Sequence, residues 1–144
     1  MKPTILALDL EGTLISNAIS QFPRPGLHRF LVEVAALFDQ LVMFTTVPRD
    51  RFQSIARLLV REGAAPTWFP ALAYTNWHGA TKDLRFVSPT LGDALLLDDH
   101  GAYVHTGQEH LWVKLPLFAS PYPAEDDGLD RALEELLLRI ERVS

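Results

Sequence analysis

Four short stretches of the 144-residue chain carry residue types and spacings suited to chemistry. Asp9-Leu10-Glu11-Gly12-Thr13 follows the apolar run 5–8, Thr45-Thr46 follows the run 41–44, and Asp98-Asp99 follows the run 94–97. Lys82 stands in Thr81-Lys82-Asp83, 16 positions before Asp98. Brought together, Asp9, Glu11, Asp98 and Asp99 are four carboxylates that do not all stay ionised at close quarters without cations. An oxygen-only ligand set suits Mg²⁺, and Lys82 supplies a second positive charge. The Thr45 hydroxyl and backbone N–H groups add neutral donors. Metal ion, lysine, hydroxyl and amides together cradle a phosphoryl group. A carboxylate can also serve as the nucleophile and form an acyl phosphate.

These residues converge only if particular elements position them. The runs 5–8, 41–44 and 94–97 are short and continuously apolar, as in strands buried on both faces of a parallel sheet. Between them lie segments of helical period. Leu27, Phe30, Leu31, Val34, Leu37 and Phe38 form one stripe, and Phe52, Ile55, Leu58 and Leu59 a second. Leu129, Leu133, Leu136, Leu137 and Ile140 form a third, with Asp126 or Asp127 as its cap and Glu135–Arg139 as an i, i+4 pair. Residues 111–115 read as a further strand. The stretch 63–81, broken by Pro66 and Pro70, reads as a loop or small strand insertion in which Trp68, Tyr74 and Trp77 are packing anchors. Alternating strands and helices predict one α/β domain over residues 1–144, a three-layer Rossmann-like core with a parallel sheet and helices on both faces. In such a sheet the carboxyl ends of the strands face one crevice, where ligands bind.

Composition narrows the function classes. Hydrophobic residues make up 48% and charged residues 22%, as expected of a folded globule. There is no cysteine, so disulfide scaffolds, thiolate zinc sites and cysteine nucleophiles are excluded. Five histidines without tight spacing make no zinc site, and His78 and His100 read as partners in local hydrogen bonds. A formal charge of −5 argues against extensive nucleic-acid binding, which depends on neutralising phosphates. No apolar run approaches the ~20 residues of a membrane helix, and the chain reads as a cytoplasmic protein with its oligomeric state open.

The order of the motifs resembles the haloacid dehalogenase-like (HAD) superfamily, most of whose members are Mg²⁺-dependent phosphatases with a Rossmann-like core. Arg24-Pro25-Gly26-Leu27, Phe44-Thr45-Thr46, Lys82-Asp83-Leu84 and Leu97-Asp98-Asp99 are similar to the small NIF-like branch, which includes the phosphatases of the RNA polymerase C-terminal domain. The resemblance implies Asp9 as nucleophile and Mg²⁺ ligand, and Glu11 as the acid and base, with its backbone carbonyl also facing the metal. It implies Thr45, Thr46, Lys82 and Gly12 as holders of the phosphoryl oxygens, Asp99 as a direct Mg²⁺ ligand and Asp98 as a ligand through water or an orienter of the shell. The usual second carboxylate of the first motif is aspartate. Glutamate stands here, one methylene longer, as in some superfamily phosphatases, with Thr13 expected to orient it across the turn.

The implied activity is Mg²⁺-dependent hydrolysis of a phosphate monoester through an aspartyl phosphate. The alternative is a catalytically degenerate module of the same fold that binds a phosphorylated partner. A receiver domain carries similar groups but in another order. Access bears on substrate. Asp9 to Thr45 spans 36 positions and Thr45 to Lys82 spans 37, and predicted helices occupy much of both. A flap at 14–24 and the segment 63–81 remain, too short for an independent cap of ~40 residues or more. An open, capless site suits a phosphoprotein or other large phosphate ester better than a small enclosed metabolite.

Overall fold

The computed structural model describes residues 2–143. Five strands form one parallel sheet in the order β3-β2-β1-β4-β5. They are β1 (Ile5–Leu8), β2 (Gln40–Met43), β3 (Ala73–Tyr74), β4 (Ala94–Asp98) and β5 (Trp112–Lys114). The helices are α1 (Leu27–Leu37), α2 (Arg49–Arg61) and α3 (Gly128–Val143). β1 lies at the centre and pairs on both edges, Ile5 opposite Gln40 on one side and Ala94 on the other. A strand enclosed in this way has no solvent face, which is why Leu6, Ala7 and Leu8 are all apolar and fully buried.

From β1 the chain winds outward through β2 to the edge strand β3, then returns across the sheet to β4 on the other side of β1. The carboxyl ends of β1 and β4 therefore flank the point where the strand order reverses, the position at which open α/β sheets form a crevice. Asp9 follows β1 directly, and Asp98 is the last residue of β4.

Each helix buries the stripe that its period dictates. Leu27, Phe30, Leu31 and Val34 are buried on α1, and Phe52, Ile55, Ala56 and Leu59 on α2. α3 packs against α1 and β5. Its stripe differs by one residue from the sequence reading: Leu129, Ala132, Leu133, Leu136 and Ile140 are buried, whereas Leu137 is 38% exposed. Position 137 lies ~100° around the helix from 136, and the narrower seam 129-133-136-140 leaves it outside. Asp126 caps α3 by accepting from the Gly128 N–H at 3.0 Å, and the Glu135–Arg139 pair forms at 2.8 Å.

The stretch 63–81 contributes a two-residue strand to the sheet, within its reading as a loop or small strand insertion. A 3₁₀ turn at Phe69–Ala71 leads into β3, where Ala73 pairs with Val42 and Tyr74 with Met43. Trp68, Tyr74 and Trp77 are partly buried against the core. No helix among the described residues is long and apolar enough to cross a membrane.

Leu136 is fully buried in the α3 seam. Replacing it with alanine should cost about 2–5 kcal/mol of stability. A urea melt of Leu136→Ala is the check.

Candidate active site

The sheet topology brings Asp9, Lys82 and Asp98 into direct contact. Lys82 Nζ lies 2.9 Å from Asp9 Oδ1 and 2.6 Å from Asp98 Oδ2. The lysine is 1% exposed, Asp98 fully buried and Asp9 7% exposed. Its backbone is held by the segment after β4: the Lys82 N–H donates to Tyr103 O, and the ammonium lies 5.0 Å from the centre of the Tyr103 ring. Burial opposes the Lys82 charge, but the two adjacent carboxylates more than offset it and raise its pKa above the ordinary lysine value. For Asp9 burial dominates and pushes the carboxyl well above the ordinary carboxylate range; Lys82 pulls it down and Asp98 pushes it further up. An ammonium has three N–H donors, and two are engaged here.

Asp98 has both oxygens engaged, Oδ2 by Lys82 and Oδ1 by the His100 N–H at 2.9 Å. Its carbonyl accepts from the Trp112 indole N–H. Thr13 does not orient Glu11 as its spacing suggested. Its hydroxyl lies 2.7 Å from Asp9 Oδ2 and 3.0 Å from Asp99 Oδ1, tying the first and last motifs together. A turn that began at Asp9 and folded straight back placed Thr13 four residues on, beside the carboxylate it bonds.

Glu11 reaches the opposite way. Its Oε2 accepts from the Ala18 N–H at 2.6 Å, so the extra methylene spans from the first motif to the flap. The flap, residues 14–24, is closed on itself by an antiparallel bridge between Ile15 and Pro23. The Ala18 carbonyl accepts from Arg51 of α2. Ile19 at the flap tip is 91% exposed.

Gly12 turns its amide into the flap. Its N–H is committed to the carbonyls of Ile15 (2.8 Å) and Ser16 (3.1 Å), which leaves no amide hydrogen for a phosphoryl oxygen in this conformation. What the site needs from Gly12 is the absence of a side chain. Its φ is +77°, and a Cβ would lie 2.9 Å from both Asp99 carboxylate oxygens and 2.6 Å from Leu117 Cδ1.

Thr45 is buried, and its Oγ1 accepts from the Val47 N–H at 3.1 Å, so its hydroxyl turns the chain toward α2 while its own hydrogen stays free to donate. Thr46 is exposed. Two cavities meet at Thr46. One, about 200 Å³, is lined by Asp9, Glu11, Asp98, Asp99, His100 and Tyr103. The other, about 340 Å³, is walled by Thr45 and the segment 74–79. Trp77 stands in that wall, its indole N–H on Thr45 O and its ring edge-on to Phe44 and Tyr103. His78 and His100 contact the rings of Phe86 and Tyr103. Tyr103 carried no signal in the sequence, because its place in the site comes from the turn after β4 and not from any motif.

Asp9, Asp98 and Asp99 each present a carboxylate oxygen within 4.8 Å of the others. Lys82 is the cation paired with them among the described residues, so three carboxylates face one ammonium. A hard divalent cation with oxygen ligands fits this excess of negative charge.

The profile of the NLI interacting factor-like phosphatases matches residues 4–144. The chain belongs to that family. The parallel sheet with strand-end carboxylates is the architecture the resemblance implied, and membership supports a phosphatase function. A search of curated proteins finds no match to the chain.

Removing Lys82 strands two buried carboxylates. Lys82→Met should therefore destabilise the metal-free protein by about 3–5 kcal/mol, the cost typical of breaking one side of a buried ion pair. Chemical denaturation in the presence of a chelator measures it. Gly12→Ala should displace Asp99 and strain the turn, and reduce phosphatase activity at least tenfold. A steady-state assay with saturating Mg²⁺ decides that point.

Proposed function

We propose that the protein hydrolyses phosphate monoesters with Mg²⁺, through an aspartyl phosphate on Asp9, and that its substrate is a phosphoprotein or another large phosphate ester. The single observation that carries the reading is the Asp9 carboxylate itself. It stands at the strand-order reversal, gripped by Lys82 on one oxygen and Thr13 on the other, and it opens into the smaller cavity opposite Glu11.

In this reading Asp9, Asp99 and the backbone carbonyl of Glu11 hold Mg²⁺, with Asp98 orienting the set. The ion, when bound, neutralises charge on the transferring phosphoryl group. Lys82, Thr45 and Thr46 hold the phosphoryl oxygens. An Asp9 oxygen attacks phosphorus and forms the acyl-phosphate bond as the ester P–O bond breaks. Glu11 gives its proton to the leaving oxygen, which departs as the alcohol. Glu11, now a carboxylate, takes a proton from water as that water attacks phosphorus. The acyl P–O bond breaks, inorganic phosphate leaves, and Asp9 and Glu11 return to their starting states.

Access supports the larger substrate. His100, Tyr103 and the segment 74–79 border the site, and the second cavity continues from Thr46. Its walls carry hydroxyl, amide, indole and imidazole groups and no carboxylate, ammonium or guanidinium. Such walls suit a polar, uncharged leaving group.

Asp9→Asn should abolish hydrolysis of an aryl phosphate in Mg²⁺, because an amide is a poor nucleophile toward phosphorus. Glu11→Gln should slow turnover by ~10²–10⁴-fold. Acid-quench labelling should show phosphoenzyme accumulating in that variant. Activity of Asp9→Asn within tenfold of wild type sinks the mechanism. Stoichiometric labelling of the wild type without turnover assigns it instead to a phosphate-binding module. Among natural substrates, kcat/KM should be higher on some phosphopeptide than on free phosphoserine or sugar phosphates.

A further inference from the structure

Arg24 is the largest fully buried side chain among the described residues, and the proposed reaction gives it no task. Its guanidinium joins two segments remote in sequence. Nη1 donates to the carbonyls of Gly12 and Thr13, each at 3.3 Å. On the other side Nε and Nη2 pair with the two oxygens of Asp126, at 2.8 and 3.3 Å. Phe118 stacks beneath the group at 5.5 Å, and the Phe118 N–H also donates to Gly12 O. Gly128 opens α3 without a side chain because a Cβ there would lie 2.0 Å from Arg24 Nη2.

A buried ion pair is weak evidence for stability, since an apolar replacement often serves as well. An arginine offers something else: a rigid planar fork of donors that fixes several acceptors at once. Here the fork draws the Gly12 and Thr13 carbonyls inward. The same turn sends the Thr13 hydroxyl outward onto Asp9 and Asp99. Asp99 takes part in no ion pair among the described residues; its carboxylate is held by the Thr13 hydroxyl and by its contact with the Asp9 carboxyl.

We infer that Arg24 is a positioning residue for the phosphatase site: bound to Asp126, it sets the Gly12–Thr13 turn, and through Thr13 it aims the Asp9 and Asp99 carboxylates at a divalent cation. The inference rests on the Mg²⁺ reading of the previous subsection.

Mg²⁺ titration by calorimetry tests it on wild type, Arg24→Lys, Arg24→Met, Thr13→Val, the Arg24→Lys/Thr13→Val double variant and Leu136→Ala. Lysine keeps the charge but lacks the fork, so Arg24→Lys should weaken Mg²⁺ binding about 10- to 100-fold, the usual cost of losing a partner behind a metal ligand. It should also lower kcat and leave KM unchanged. Because Arg24 acts through Thr13, the double variant should bind Mg²⁺ no worse than Thr13→Val alone. Leu136→Ala, with an equal or larger loss in Tm, should keep wild-type Mg²⁺ affinity. If Arg24→Met does not fold, Arg24→Lys carries the test alone. Wild-type Mg²⁺ affinity in Arg24→Lys overturns the inference, as do additive losses in the double variant or an equal loss in Leu136→Ala. Wild type that binds Mg²⁺ but never turns over a phosphate ester overturns the phosphatase mechanism alone, and the binding cycle still decides the role of Arg24. Wild type that binds no Mg²⁺ overturns both.

Discussion

The ammonium of Lys82 sits almost out of water between the carboxylates of Asp9 and Asp98, and the arrangement of the polar centre follows from that contact. An unpaired charge in such a place is prohibitive, and a pair survives only with good geometry and further hydrogen bonds. The sheet supplies the geometry by placing the ends of β1 and β4 side by side. The turn after β4 supplies the rest, with the Tyr103 carbonyl on the Lys82 backbone and the His100 amide on Asp98. Asp9 and Asp98 thus stand at the ends of paired central strands, and the Lys82 backbone is tied to the turn after β4 by a bridge to Val104.

Around this fixed pair the remaining acids differ in how they are held. Asp99 is aimed by a hydroxyl and shares the smaller cavity with Glu11. Glu11 is bound to an amide of the flap, which α2 steadies in turn through Arg51. Aspartate at position 11 would be a methylene too short to make the Ala18 contact from the same backbone position. Glutamate thus places a carboxyl group on the boundary between the strand ends and the flap. One side chain then reports the position of the flap to the centre.

Much of this was legible in the sequence because it is local. A strand buried on both faces must be apolar throughout, so the runs 5–8, 41–44 and 94–97 marked the sheet, and the polar residues that ended them marked the crevice. Parallel connection then forced those ends onto one edge. Other features left no local trace. β3 is two residues long and is fixed by β2 beside it, so the sequence allowed a small strand within 63–81 but did not mark its position or partner. Leu137 fits the apolar period and is excluded only by the width of the α3 seam. The Gly12 amide was open to a ligand on paper and is consumed by the flap in the fold. Thr13 bonds Asp99 across 86 positions and Arg24 bonds Asp126 across 102, and no periodicity reaches that far.

Those long separations also bear on how the molecule comes into being. Chains are synthesised from the amino terminus at ~5–20 residues per second, and local contacts form long before distant ones. β1, α1, β2 and α2 are complete once residue 61 has been added. Asp98 and Asp99 do not yet exist, and Asp126 comes later still. During that interval Asp9 and Thr13 are present but lack the partners that aim them. A nascent chain that stops short of Asp126 therefore holds its first motif without the partners that position it in the fold.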